Sequence, residues 1–329
     1  MITIRNSARR YVTIGKTGLV ACVLLMLAMS FSSHLLLPAK TLAGDMGLCL
    51  PSPNLWPLNP DLSWIVNISL LIATATGAVL LNRHFNFIKS TDFVLPGLFL
   101  IFAGSNIWVT SWLGASTLLL LVNLICMSVL FGCYKRENAT QPMFVIATLL
   151  SVGSMFQYAF LVFVPIYIAG ALIMKALSWK SSCAMLMGLA APYWVAMGFG
   201  IVGPNDFKVP ELSNLFDNFT PPADMLLILI NIGVTMLSAL LVSLNCIVKL
   251  FAGNSRILAI NNVINLIGLA CCAGILLDYN NMQAYLATFY FIAAAQWANL
   301  FALWEFRRGW VAATAIAAIY TGLAVAQLF

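Results

Sequence analysis

Long apolar runs, separated by short turns that contain charged residues, recur along the chain from Leu19 to Phe329. A helix needs roughly 20 apolar residues, at 1.5 Å per residue, to cross about 30 Å of hydrocarbon. By this measure the runs predict spans at 17–37, 63–82, 93–110, 113–134, 143–157, 159–178, 182–202, 223–248, 257–277, 283–305 and 310–329. The pattern therefore predicts an all-α, polytopic transmembrane bundle of about 11 spans, within a range of roughly 10 to 12.

Two of the apolar stretches are too short for the helices that they must supply. Residues 93–132 and 143–177 each have to provide two crossings, which leaves short helices joined by tight turns. Trp108 and Trp112 favour a first turn near 111–113 at the outer interface, because Trp is enriched at membrane surfaces. Hairpins this short end below the membrane surface.

The second short hairpin places polar residues at its turn, in the sequence GSMFQYAF. Irregular backbone below the membrane surface is stable only against protein or a water-filled cavity. Gln157 and Tyr158 are then recessed polar groups under an outer depression, and we predict them as substrate-binding candidates. The alternative, which we favour, is that local thinning of the bilayer or a misplaced helix boundary absorbs the mismatch, and that the recess has no function.

The composition fits a membrane protein and excludes a soluble one. Hydrophobic residues make up 62% of the 329 residues and charged residues only 8%, against about 25% in a typical soluble domain. The polar segments are too short for a second domain, so we predict one integral membrane domain over 1–329, with the lipid bilayer as its partner. The net charge of +6 is spread in ones and twos without a basic patch, so we predict no nucleic-acid binding.

The loops differ in charge, and this difference predicts the orientation, because cytoplasmic loops are enriched in Lys and Arg. When successive loops are assigned to alternate sides, all of the 16 Lys and Arg residues except Lys40 and Lys208 fall on one side. Most acidic residues fall opposite, namely Asp45, Asp61, Asp206, Glu211, Asp217, Asp224 and Asp278. We therefore predict a multi-pass protein of the cell inner membrane, with a basic cytoplasmic tail at 1–16, outer loops at 38–62 and 203–222, and LWEFRRGWVAA as the last cytoplasmic turn.

The first apolar run admits two interpretations. It follows a basic segment, and the Thr-Leu-Ala at 41–43 is an acceptable signal-peptide cleavage site. However, the run extends about 20 residues from Leu19, whereas the apolar part of a signal peptide has about 7 to 15. The length favours a retained membrane anchor.

Few ionisable residues lie well inside the predicted spans, which disfavours an ion-coupled transporter. Neutral amides are more numerous, and Asn261 and Asn265 lie four residues apart on one helical face. The amides of other spans that can meet them are Asn231, Asn245, Gln296 and Asn299. We predict Asn261 and Asn265 as hydrogen-bonding contacts between helices, with a substrate-binding site as the alternative.

The outer loops contain the acids that could act in catalysis. The first outer loop has four prolines and the carboxylates of Asp45 and Asp61, and acids beside a recess can act as general base or metal ligand. The alternative, which we favour, is that these are solvated loop charges. No CxxC or His-containing ligand spacing is present, so we predict no metal and no cofactor.

The segment FQYAFLVFVPIYIAGALIMKALSWKSSCAMLMGLAAPYW, with the short hairpins before it, resembles a family of bacterial inner-membrane proteins of unknown function over roughly 60–205. In outline such proteins are similar to the GT-C glycosyltransferases. Those enzymes take sugars from polyprenyl-phosphate donors and use an acid in the first outer loop. The resemblance implies Asp45 or Asp61 as the base or metal ligand.

Three functional hypotheses follow, in order of preference. The first is a non-catalytic scaffold or partner subunit in envelope assembly, bound to other envelope membrane proteins. The second is a GT-C-like glycosyltransferase or a protein that handles lipid-linked sugars. The third is a facilitator of a neutral or lipidic substrate through the amides of the 257–277 span.

Overall fold

The computed structural model describes residues 15–36, 46–88, 92–136, 138–209, 225–250, 255–303 and 309–328. Helices account for about four-fifths of these residues, and no strand occurs among them. In chain order they are α1 (Lys16–Leu36), α2 (Pro60–Phe85), α3 (Val94–Gly104), α4 (Ile107–Thr110), α5 (Ala115–Phe131), α6 (Thr140–Phe156), α7 (Ala159–Ile173), α8 (Trp179–Gly198), α9 (Leu226–Leu250), α10 (Ser255–Leu277), α11 (Met282–Leu303) and α12 (Gly309–Ala326). The prediction of an all-α protein is confirmed.

Four helices are long and apolar enough to cross a membrane within the part of the chain that the structure describes. They are Lys16–Leu36, Pro60–Phe85, Ser255–Leu277 and the Leu226–Asn245 part of α9. These helices indicate a membrane protein. The number of crossings and the orientation stay predictions.

The apolar run 93–110 does not form the single helix that was predicted. Helix α3 ends at Gly104, and α4 is a separate turn that begins after Asn106. The side-chain oxygen of Asn106 accepts a hydrogen bond from the backbone N–H of Trp108 at 2.9 Å, which caps α4. A polar capping residue therefore interrupts a stretch whose hydrophobicity alone favours one span.

Helix α3 lies at the centre of the bundle. All of its residues are buried, and it packs against α1, α2, α11 and α12. Its sequence, VLPGLFLIFAG, is apolar on every face, as a helix needs to be when neighbours surround it. The end of α3 is therefore enclosed by protein.

The hairpin of α6 and α7 is shorter than a hydrocarbon layer. Its helices contain 17 and 15 residues, which correspond to about 25 and 22 Å at 1.5 Å per residue. At its turn the ring of Phe160 lies so close to Gly153 that a Cβ there would approach the ring to 2.2 Å. The glycine allows the two helices to meet directly.

Turns that contain basic residues meet at one end of the bundle. The N–H of Lys135, after α5, donates to the carbonyl of Met174, after α7, at 2.9 Å. The hydroxyl of Tyr134 donates to Ser255 at 3.0 Å, where α10 begins. At the opposite end, residues 46–59 cover the turns at 105–114 and 156–158, and Asn54 lines a cavity together with residues of the turn at 277–283. We call this second end the covered end.

Candidate functional site

Gln157 is fully buried at the covered end and connects two other segments. Its carbonyl oxygen accepts a hydrogen bond from the hydroxyl of Ser52 at 2.9 Å, and its amide N–H donates to the side-chain oxygen of Asn281. Ser52 belongs to the segment 46–59, and Asn281 to the turn between α10 and α11. The amide of Gln157 therefore joins three segments that are distant in sequence.

Tyr158 makes a second connection beside it. The hydroxyl of Tyr158 donates to the carboxylate of Asp278, and its backbone N–H donates to the carbonyl of Met46 at 3.0 Å. Burial raises the pKa of the Tyr158 hydroxyl, and the Asp278 carboxylate raises it further, so the hydroxyl remains a donor. Gln157 and Tyr158 are thus buried at this turn, and residues of the segment 46–59 and of the turn between α10 and α11 pair their polar groups.

The segment 46–59 is held over the turn of α6 and α7 by its backbone as well. The N–H groups of Cys49 and Leu50 both donate to the carbonyl of Met155, at 3.2 and 2.9 Å. The ring of Trp56 packs edge-on against Phe156, with 5.7 Å between centroids. This segment is therefore a fixed part of the fold.

The turn at 105–114 is buried within the protein, and side chains from other helices pair its backbone. In lipid every backbone polar group needs such a partner. Three side chains donate to backbone carbonyls of this turn: Ser30 Oγ to Thr110 (3.3 Å), Asn67 Nδ2 to Val109 (2.8 Å) and Gln283 Nε2 to Trp108 (3.2 Å). In addition, Ser63 Oγ accepts a hydrogen bond from the backbone N–H of Leu113 (2.9 Å). The turn predicted near 111–113 lies between α4 and α5, and Trp108 beside it is only 2% exposed, so protein encloses its ring; the position of this turn at the membrane interface stays a prediction.

A network of uncharged groups surrounds the break between α3 and α4. Asn106 donates to the hydroxyl of Tyr290 at 2.8 Å, and that hydroxyl donates to the side-chain oxygen of Asn231 at 2.8 Å. The amide N–H of Asn231 donates to the hydroxyl of Ser105 at 3.0 Å. The expectation that Asn231 can meet Asn261 is not met, because Asn231 bonds this broken helix. Only a polar dipeptide, Ser105-Asn106, inside an apolar run marks this place in the sequence.

Asn261 and Asn265 face α11, as their spacing predicts. Asn299 donates to the side-chain oxygen of Asn261 at 2.7 Å, and Gln296 donates to that of Asn265. Ser243 of α9 also donates to Asn265, at 3.4 Å. These pairs join α10 to its neighbours. Asn245 bonds only its own helix, at the Leu241 carbonyl, among the contacts described.

Of the two acids proposed for catalysis, Asp45 lies outside the described residues. Asp61 lies in the first turn of α2, where its carboxylate accepts a hydrogen bond from Nε2 of His34 at 3.0 Å. The His34 ring stacks on Trp64, with 5.1 Å between centroids. The Asp61 side chain is 77% exposed, so water reaches it.

Metal-ligating side chains do not cluster in the described ranges: no group of three or more His, Cys, Asp and Glu residues lies close enough to hold an ion. Cys49 is half-buried near Asp206, and burial raises the pKa of its thiol, with a smaller contribution from the Asp206 charge. A comparison of the chain with protein-family models, with curated proteins and with solved structures finds no match.

Proposed function

We propose that the chain is a non-catalytic scaffold or partner subunit in assembly of the bacterial envelope, embedded in the inner membrane. The observation that supports this most is the pairing of the polar groups in the bundle. The amides of Asn261, Asn265 and Gln157 are bonded to side chains of other segments, where they hold helices and loops together. Such bonds stabilise a fixed shape and leave these groups little capacity to bind a passing substrate.

The proposed placement in the membrane is about 11 crossings with a cytoplasmic N-terminus. The contact between the basic turns after α5 and α7 supports it, because such turns belong on one side of the membrane. Helix α8 supports it as well: Trp179 near its start and Phe199 after its end are both at least 80% exposed. They lie roughly 20 residues, or about 30 Å of helix, apart, which matches two aromatic belts.

Helix α8 is the face that we propose for the partner protein. Among the described helices its one extensive contact is with α6, so these helices leave the rest of its surface uncovered. That surface presents Leu186, Met187 and Trp194, each more than 65% exposed. Met and aromatic side chains are enriched at protein interfaces, and the partner we infer is another apolar membrane helix.

The test uses a photo-activated cross-linking residue at Leu186 of α8 in living cells. We expect one discrete protein adduct at this position, identified by mass spectrometry and reproduced when the partner itself has the cross-linker. The matched control is Leu80 of α2, which is 66% exposed and should give only lipid adducts. Lipid adducts alone at Leu186, Met187 and Trp194 would contradict the proposal.

A GT-C-like transferase is the second candidate, and the accessibility of Asp61 favours it. A carboxylate that is both solvent-exposed and hydrogen-bonded to an imidazole can accept a proton from an attacking hydroxyl. Purified protein would be assayed for metal-dependent transfer from a polyprenyl-phosphate sugar. If Asp61→Asn abolishes the transfer and Asp206→Asn does not, the result would support the transferase and contradict the scaffold role.

The facilitator hypothesis has less support in the described geometry. Two cavities of about 560 and 640 Å³ lie between α2 and α5 and between α1 and α12, and mainly apolar residues line them. Such grooves suit lipid chains on the outside of the bundle. Flux of a polar solute in proteoliposomes that is abolished by Asn261→Leu would restore this hypothesis.

A further inference from the structure

A small cavity lies between the buried turn at 105–114 and the start of α11. Its volume is about 10 Å³, near the minimum needed for one water molecule, and the wider space around it, including the part open to solvent, is about 280 Å³. Its lining comprises Asn54, Trp108, Val109, Trp112, Gly114, Ala115, Ser116, Thr117, Asn281, Gln283 and Ala284. None of these residues is charged.

Three of the residues that line the cavity have buried polar atoms without a hydrogen-bond partner. They are the indole Nε1 atoms of Trp108 and Trp112 and the amide Oε1 of Gln283. Gln283 is 5% exposed, and its Nε2 is already bonded to the Trp108 carbonyl at 3.2 Å, which fixes the orientation of the amide. Ser111 Oγ, in the same turn, is also buried without a partner among the described residues, but Ser111 does not line the cavity.

Unpaired groups of this kind are costly. A buried donor or acceptor left without a partner costs roughly 1 to 3 kcal/mol, and such groups are rare in native proteins. Two donors and one acceptor around one space form a complementary set, because a hydroxyl group accepts hydrogen bonds and also donates one. An ion would have to lose its hydration with no opposite charge in the lining, which disfavours charged ligands.

We propose that this cavity binds one neutral hydroxyl group, which accepts from the indole N–H groups of Trp108 and Trp112 and donates to Oε1 of Gln283. The hydroxyl belongs to a water molecule or to the polyol headgroup of a lipid. The volume admits the hydroxyl itself, and a headgroup would extend into the wider space beside Asn54. The site is independent of the scaffold role and of the α8 face.

The test measures the indole signals of the full-length protein, labelled with ¹⁵N-tryptophan, in three kinds of nanodisc. Phosphatidylcholine has no headgroup hydroxyl, phosphatidylserine is anionic without a hydroxyl, and phosphatidylglycerol is anionic with a diol. Trp108→Phe and Trp112→Phe assign the two signals. We expect cross peaks from these indole protons to water in all three bilayers, or to glycerol protons in phosphatidylglycerol alone. The absence of both kinds of cross peak in every bilayer would overturn the proposal.

Three variants separate loss of the bound hydroxyl from a folding defect. Gln283→Met preserves the length of the side chain but removes the acceptor Oε1, together with the Nε2 bond to the Trp108 carbonyl, and it should abolish the cross peaks of Trp112. Trp64→Phe is the control, because the Trp64 indole already donates to Ser30 at 2.8 Å and should leave those cross peaks unchanged. Trp112→Phe should lower the Tm if the hydroxyl is bound. An empty cavity predicts the opposite sign, because the variant then removes an unpaired buried donor.

Discussion

Buried amides act in this protein mainly as connectors between segments. Asn261 and Asn299 are 2% and 3% exposed, and the bond between them joins α10 to α11 at 2.7 Å. Hydrogen bonds between membrane helices contribute about 0.6 kcal/mol on average and up to about 1.7 kcal/mol. The larger effect comes from removing one partner, because the remaining amide is then buried without a bond.

Asn261→Leu should therefore lower the free energy of unfolding by about 1 kcal/mol, because it leaves the Asn299 amide unpaired. The double variant Asn261→Leu/Asn299→Leu should recover most of this loss, since both polar groups are gone. Unfolding by denaturing detergent, followed by circular dichroism, measures both values. Asn262→Leu on the exposed side of the same helix is the control and should cause no loss. If the double variant loses as much free energy of unfolding as Asn261→Leu and Asn299→Leu lose together, this interpretation would be contradicted.

Cys49 gives a second prediction at the residue scale, through its raised pKa. Maleimide reacts with the thiolate, so the labelling rate should rise with pH through a midpoint above that of a free thiol. Asp206→Asn removes a negative charge that opposes thiolate formation, which lowers the pKa and moves the midpoint to lower pH. The midpoint should stay above that of a free thiol, because burial is the larger cause. Asp61→Asn is the control, and an equal shift there would contradict the assignment.

At the scale of elements, small residues allow close contact where hairpins and helices meet. Gly188 of α8 lies directly against α6: a Cβ at this position would approach the carbonyl oxygen of Phe144 to 2.6 Å and the Cβ of Ala147 to 2.9 Å. Backbone atoms cannot rotate away as side chains can. The α6–α8 contact therefore depends on the absence of a side chain at Gly188.

Gly188→Ala should destabilise the protein by about 1 to 3 kcal/mol, the range found for overpacked cores. Gly198→Ala lies in the same helix with no atom within 4 Å of its new Cβ, so it should be neutral or stabilising, since Ala favours helix. Thermal unfolding of the two variants in the same detergent provides the comparison. Equal Tm values for both would show that α8 does not pack on α6 in this way.

At the scale of the whole molecule, charge and packing both divide the turns between two ends. The turns after α5 and α7 meet at the basic end, and residues 46–59 pair with the turn of α6 and α7 at the covered end. Asp61, Asp206 and Asp278 belong to turns or helix starts on the predicted outer side. If the protein spans the membrane as proposed, the covered end faces outward.

Single cysteines in a background from which all eight native cysteines have been removed test this orientation with an impermeant maleimide applied to intact spheroplasts. Asn205→Cys, in the exposed loop after α8, should be labelled from outside. Asn138→Cys, in the exposed turn before α6, should be labelled only after the membrane is permeabilised. Labelling of Asn138→Cys in intact spheroplasts would mean that the proposed orientation is inverted or the crossings are miscounted.

The sequence by itself determined the helices and some of their faces. The predicted spans 17–37 and 257–277 agree with α1 and α10 within two residues at each end. The polar residues of a turn end an apolar run whatever the tertiary structure is, so the sequence shows these boundaries. The shared face of Asn261 and Asn265 followed from helical spacing alone. Both properties are local, so neighbouring residues suffice to predict them.

Only the tertiary structure decided which polar groups meet and which apolar residues are enclosed. Hydrophobicity cannot separate a lipid-facing residue from a core residue, since both are apolar, and for this reason the sequence did not show that protein encloses Trp108 or that α3 is the central helix. The break after Gly104 is stable because side chains of α1, α2 and α11 pair the backbone of the next turn. Ser52 lies 105 residues from Gln157, and no local pattern contains that contact.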